Sequence, residues 1–436
     1  MHQIFRVRVI LVISFCVVVA NANRANAQEA ARKLDPAQKI ATAVVSSGKF
    51  DRKNSVIETT MILDGAGLRD VILVDSKGDR IPGQIINPGV FAIAKPRQKI
   101  LTFVIPELKA GEYRRFDIFR SDSNSQPAFQ WHDDASTQSE LQFDGKGVLR
   151  YMYEALDDAT PQRRQETYKT YHHVFSPDGD ELLTKGPGGL YPHHRGIYYG
   201  FNRITYDGKE ADTWHCGGGE SQRQSADPIN IAGNVFGRDL NAISWHGRDG
   251  EPFAAETRQL TAFKIGSNTL IEFESLLQAT GPKIKLDGDP QHAGVQFRAS
   301  QRVADETKMK TIYVRPDGVG RLGGFRNWSN KPNENESNKK HVNLPFNAMC
   351  FYIGQKRYTC CYVDDPKNPK PARFSERDYG RFGSYFTHEL TKDKPLYVNY
   401  RFWVQEGEMT VEQCEQLALD ITHPAKAKVE KFNGKR

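Results

Sequence analysis

The chain has 436 residues, of which 26% are charged and 11% aromatic, with a formal net charge of +7. That length and a mean hydropathy of -0.61 describe a globular protein with room for more than one core and exclude a bundle of membrane-spanning helices. Its basic residues are dispersed rather than gathered into an arm or one helix face, which argues against nucleic acid as a partner.

Residues 1–27 read as an export signal. Arg6 and Arg8 precede the apolar run Val9 to Ala20, and Ala25-Asn26-Ala27 supplies a small-x-small cleavage pattern before Gln28. The apolar run is short against the roughly 20 residues a membrane span needs. Cleavage near Ala27-Gln28 removes Arg6, Arg8 and Arg24 but no acid, leaving a net charge of +4. The expected product is exported, periplasmic or secreted, with no membrane span.

Beyond it, short alternating runs of aromatic and β-branched residues are broken by Gly, Asn, Asp and Pro. They include Ser55 to Leu63, Asp70 to Asp75, Lys99 to Pro106, Ala242 to Trp245, Thr269 to Glu274, Lys310 to Val314 and Tyr397 to Val404. Many strands at regular spacing predict an all-β protein, a sandwich or barrel. Residues 36–120 are the size of a small N-terminal β-sandwich domain. The polar stretch Ser121 to Ser139 reads as a linker, and 138–410 as one large β domain. Asn327 to Lys340 reads as a surface loop. Residues 410–436 hold a helix and tail: Val411, Cys414, Leu417, Ala418 and Ile421 form one apolar stripe, and Thr410 with Gln413 a capping box.

Cys16 leaves with the signal, and Cys216, Cys350, Cys360, Cys361 and Cys414 remain. A hairpin over Asn347 to Val363 turning at Gln355-Lys356 sets Cys350 opposite Cys361, as a cross-strand disulfide or two buried thiols.

The chemistry concentrates in Lys185-Gly-Pro-Gly-Gly-Leu-Tyr-Pro-His-His-Arg-Gly196, where glycine and proline predict a fixed loop carrying His193, His194 and Arg195. Imidazole is the usual acid or base near neutral pH. In extended chain His193 and His194 point to opposite faces, so one is expected to enter the site, and His194 is favoured. His292, in Asp289-Pro-Gln-His, is the second candidate. Arg195 and Arg298 follow the two histidines and are expected to orient or neutralise substrate. His172 and His173 are read as loop braces. His215 in Asp212-Thr-Trp-His-Cys-Gly-Gly-Gly-Glu220 is a candidate contact, with Trp214 as a platform for a sugar ring and Glu220 as a partner acid. Glu376, Arg377, Tyr379 and Arg381 are expected to close one wall of a cleft, and Tyr191 to flank it. Glu154 is a further candidate acid. No HExxH, CxxC, GxSxG or P-loop spacing is present, so no metal ligands and no cofactor are assigned, although clustered imidazoles suit a metal.

Four segments together carry a family resemblance: Tyr171-His-His-Val-Phe-Ser-Pro-Asp-Gly, Leu183-Thr-Lys-Gly-Pro-Gly-Gly-Leu-Tyr-Pro-His-His-Arg-Gly, Asp289-Pro-Gln-His-Ala-Gly-Val-Gln-Phe-Arg and Tyr379-Gly-Arg-Phe-Gly-Ser-Tyr-Phe. Over about residues 138 to 410 the chain resembles the exported PmoA-like family, which carries the label "methane oxygenase". The resemblance implies a β-super-sandwich of the galactose-mutarotase-like kind and a setting in polysaccharide degradation. It brings no agreed catalytic residues.

Three functions are expected, in this order. The first is an exported carbohydrate-active enzyme, a lyase, hydrolase or epimerase, in which His194 and His292 exchange protons with a sugar or oligosaccharide. The second is a glycan-binding protein without catalysis. The third is a copper-dependent redox enzyme, as the family label suggests.

Overall fold

In a computed structural model of the protein, residues 34–63, 70–92, 95–121, 126–134, 136–289, 291–326, 328 and 338–431 are described. The expected signal over 1–27 and most of the loop expected at Asn327 to Lys340 lie outside them. The fold is all-β, as the alternating runs predict. The runs quoted above fall on strands, from Arg52–Ile62 and Asp70–Asp75 to Leu396–Glu406, except that Lys310 ends a short 3-10 turn and its strand begins at Ile312.

An eight-stranded and a ten-stranded antiparallel sheet pack face to face. The inward faces of both meet in one core, with Leu149, Tyr199, Phe297 and Phe382 from the first sheet and Trp245, Phe273, Tyr362 and Phe402 from the second. The ten-stranded sheet buries its other face too. There Phe263, Leu270, Cys361 and Trp403 meet the helix Val411–Thr422 and Val56, Ile86 and Val104 of the N-terminal sheet. The predicted capping box at Thr410 and Gln413 is present.

The N-terminal sheet has seven strands, and its last, Lys426–Lys431, comes from the C-terminal tail and pairs with Lys39–Ser46. Arg52 bonds Asp420 and thereby ties this sheet to the end of the helix. Among the described residues no helix is long and apolar enough to cross a membrane.

Two expectations are corrected. The linker-like stretch contains the strand Phe129–Asp134, which pairs with Gln138–Phe143. Phe129 is fully buried and Trp131 packs against the core, so two aromatics outweigh the polar neighbours. The hairpin between Phe346–Ile353 and Lys356–Asp364 turns one residue early, at Gly354-Gln355, where Gly354 adopts φ +60°. Cys350 therefore faces Thr359 and Cys361 faces Ala348. Among the described residues all five cysteines are free and buried.

Candidate functional site

The outward face of the eight-stranded sheet is unusually polar. Five of its strands run side by side, from Tyr171–Val174 through Ile197–Phe201, Ala293–Arg298 and Arg381–Tyr385 to the edge strand Arg373–Arg377. The register sets Tyr198 against Gln296, Arg298 against Arg381, and Arg381 against Arg377. The alternation of strand side chains thus sends Tyr198, Gln296, Arg298, Arg381 and Arg377 to one face while Ile197, Phe297 and Phe382 enter the core.

Three loops cross that face and bring four imidazoles together. Residues 185–196 carry His193 and His194, residues 212–220 carry His215, and residues 288–289 and 291–292 carry Asp289 and His292. The first loop is fixed at Gly196, whose N–H donates to Lys185 O and whose carbonyl accepts from Arg298 N, both at 2.8 Å. Gly196 has φ +47°, and a Cβ there would sit 2.0 Å from His172 O. The second loop lies on Gly200, where a Cβ would meet Thr213 O at 2.7 Å. The ring centroids run His194–His193 4.2 Å, His193–His215 4.5 Å and His215–His292 5.1 Å.

His215 and His292 are each held by an aspartate three residues earlier. His215 Nδ1 bonds Asp212 Oδ2 at 2.7 Å, while Asp212 Oδ1 accepts from Trp214 N and His215 N. His292 Nδ1 bonds Asp289 at 2.7 Å, and Asp289 also accepts from Gln291 N and Asn202 Nδ2. Burial works to raise the Asp289 carboxyl, but those hydrogen bonds and the nearby imidazole prevail and hold it down at about 2. Tying Nδ1 leaves Nε2 as the free ring nitrogen. Both pairs reach solvent, with the His215 side chain 37% and His292 33% exposed.

His193 and His194 behave differently. The pair sits in a turn closed by His194 N donating to Tyr191 O, with Tyr191 at φ +53°, so both rings join the cluster. The expectation that only one enters fails because the chain there is not extended. Among the described residues neither ring nitrogen of His194 has a partner, nor do His193 Nε2, Tyr198 Oη and Trp214 Nε1. Burial, then the positive charge of Lys169, takes His193 down to about 2. Burial and its neighbour His193 hold His194 well below the ordinary range.

The remaining predicted residues divide clearly. Tyr191 is 45% exposed and packs with Tyr379 at 5.1 Å, forming an aromatic rim. Arg377 is half-buried beside it and bonds Gln291 Oε1 and Glu376 O. Arg298 and Arg381 lie beneath the cluster, and Arg298 stacks on Tyr379 at 5.0 Å. Trp214 is fully buried between Tyr198 and His194, so it supports the imidazoles and offers no open face to a sugar. Arg195 is fully buried, bonded to Pro192 O, Glu166 O and Gln165 O, and stacked on Tyr168; it braces the loop from behind.

Glu220 is buried and accepts from Asp212 N, Gly218 N and Arg248 Nε. Glu376 is buried against Arg315 and Asn347, and Glu154 pairs with Arg163. No carboxylate of the three faces the imidazoles as a free acid. His172 bonds Asp239 and His173 bonds Thr184.

Asp212 and Asp289 are the functional residues that sequence reasoning missed, and their signal is the repeated spacing Asp-x-x-His. Among the described residues no three His, Cys, Asp or Glu side chains converge to hold a metal ion. Cavities of about 530 Å³ and 390 Å³ lie elsewhere, the first between residues 84–90 and 229–232, the second beside the C-terminal helix. None of the predicted site residues lines either, and convergent chemistry rather than size identifies the candidate site.

Residues 138–419 match the profile of a family described as "Family of unknown function (DUF6807)", and the chain belongs to it. That match overturns the resemblance to the PmoA-like family, together with the oxygenase label attached to it. No curated protein matches the chain.

Proposed function

We propose that this member of a family of unknown function is an acid–base enzyme of exported carbohydrate metabolism, acting on a sugar or oligosaccharide. The observation that carries the reading is the pair Asp212–His215 and Asp289–His292, whose rings stand 5.1 Å apart at a solvent-reaching rim. Each aspartate fixes its imidazole's orientation and stabilises the cation formed when Nε2 takes a proton. One imidazole then serves as base and the other as acid. His193, kept neutral by its surroundings, supports His215 from behind. Tyr191 and Tyr379 supply ring faces against which a pyranose packs.

Hydrolysis by two flanking carboxylates is the less favoured variant, because Asp212 and Asp289 are bound to imidazoles and Glu220 and Glu376 to arginines. Proton transfer at carbon, leading to elimination or epimerisation, fits the groups present. The test is turnover on a panel of neutral and uronic oligosaccharides by wild type, His215→Asn and His292→Asn. Loss of about a hundredfold or more in kcat is expected in each variant. Equal turnover by all three proteins would falsify the assignment.

A further inference from the structure

The imidazole cluster is surrounded by cations that, among the described residues, form no ion pair with a carboxylate. Arg195, Arg298, Arg381, Lys169 and Lys185 are all buried. Lys169 Nζ donates to Trp214 O at 2.6 Å, and Lys185 Nζ to Gly186 O, Tyr191 O and His194 O. Arg298 donates to Ala299 O, Tyr379 O and Gln301, and Arg381 to Gln296 and Ser375. Among the described residues none of the five forms an ion pair, and neither does Arg377.

Elsewhere the protein pairs its buried charges: Arg258 with Glu256, Arg315 with Glu376, Lys370 with Asp364, Arg52 with Asp420. Uncompensated buried charge is costly, so its confinement to one face needs a cause. Burial lowers Lys169 to about 8, Lys185 to about 7 and Arg298 to about 10, whereas Arg381 is raised despite its burial, with Tyr379 and Tyr198 beside it.

Arg377 is a half-buried cation of this face and stands beside the imidazole cluster. It lies opposite Arg381 in register, and Nη1 donates to Glu376 O at 2.8 Å. Its Nη2 donates to Gln291 Oε1, which places the guanidinium next to the residue preceding His292. We infer that the substrate of this site is a carboxylate-bearing sugar, its carboxylate received by Arg377 in the positive field of Arg298 and Arg381. A planar guanidinium matches a carboxylate in a way that a lone ammonium does not.

The inference rests on the acid–base reading above and gives it a chemistry. The proton on the carbon next to the carboxylate passes to the Nε2 of one imidazole. The C–H electron pair moves into the carboxylate, whose second negative charge the arginines stabilise. The intermediate then returns the pair. Either it expels the oxygen substituent on the next carbon, which takes its proton from the second imidazole, or the first carbon takes a proton back. Neither course requires an oxidant or reductant.

Calorimetric titration of the full chain with a hexuronate trisaccharide, its neutral hexose counterpart and inorganic phosphate tests this. Hexuronate should bind at least tenfold tighter than the neutral sugar at low salt, with the advantage shrinking as salt rises. Arg377→Gln should abolish the advantage and Arg377→Lys restore part of it. Equal binding of charged and neutral sugars overturns the inference, whether or not the variants fold. Phosphate binding as tight as hexuronate overturns the carboxylate assignment in favour of phosphate esters. Hexuronate bound by wild type without turnover supports the anion site while sinking the enzyme reading. Turnover of neutral sugars alone does the reverse.

Discussion

His215 and His292 reach the site by the same local device, an aspartate three residues earlier that accepts from the backbone and from Nδ1 at once. Because the aspartate sets which ring nitrogen stays free, its replacement by an amide acts on chemistry more than on binding. Asp289→Asn is expected to lower kcat by about a hundredfold or more with little change in KM, measured on whichever sugar the panel identifies. An unchanged kcat would reduce the aspartate to a loop staple. The sequence displays imidazoles and aspartates alike, but only the imidazoles stand out in it as candidate acids and bases. A carboxylate's partner is settled by three residues of loop geometry, and composition does not display that. Arg195 illustrates the opposite error. Its position beside His194 suggested substrate contact, whereas its side chain runs back under the loop to three carbonyl oxygens.

At the scale of elements, the site is three loops laid on one sheet face, and glycines decide how closely they lie. Gly196→Ala would place a methyl 2.0 Å from His172 O at a backbone φ of +47°. It is expected to destabilise by roughly 1–3 kcal/mol, read as a lower denaturant midpoint, and to reduce activity by displacing His193 and His194. A midpoint equal to wild type would show that the loop is not pinned there. The C-terminal helix was legible in full, since both its apolar stripe and its cap are local in sequence. Thr410→Ala should cost about 1 kcal/mol in the same measurement and leave turnover alone. Hairpin register was less legible: a turn displaced by one residue shifts every cross-strand partner, so Cys350 and Cys361 missed each other.

For the whole molecule, buried imidazoles link stability to pH. Burial is the first cause lowering His172, His173, His193, His194 and His341, with His173 at about 3, His193 at about 2 and His341 at about 4. The unfolded chain therefore binds protons below about 6.5 that the native state refuses, and stability present above that pH is lost as pH falls. Buried Asp364 and the more open Glu58 and Glu274, raised first by desolvation, act in the opposite sense nearer the carboxylate range, but they are fewer. Thermal unfolding followed from pH 7.5 to 4.5 should show a steadily falling midpoint, and a flat profile would contradict the buried, neutral imidazoles. Chain ends are coupled as well, because the strand Lys426–Lys431 completes the N-terminal sheet. Removing residues 424–436 should lower the unfolding midpoint although no site residue is touched.

Alternating apolar residues, turn-forming glycines and a capped amphipathic stripe determined an all-β sandwich with a closing helix, because each of those signals acts over a few neighbouring residues. Which side chains share a surface was decided only by tertiary structure. Strands 197–201, 293–298 and 381–385 lie far apart in sequence, and their register alone brings Tyr198, Arg298 and Arg381 under four imidazoles from three separate loops. The uncompensated charge of that face is likewise invisible in a nearly balanced composition. Charge balance is a sum over the chain, whereas the field at a site depends on which charges the fold buries together and which partners it withholds.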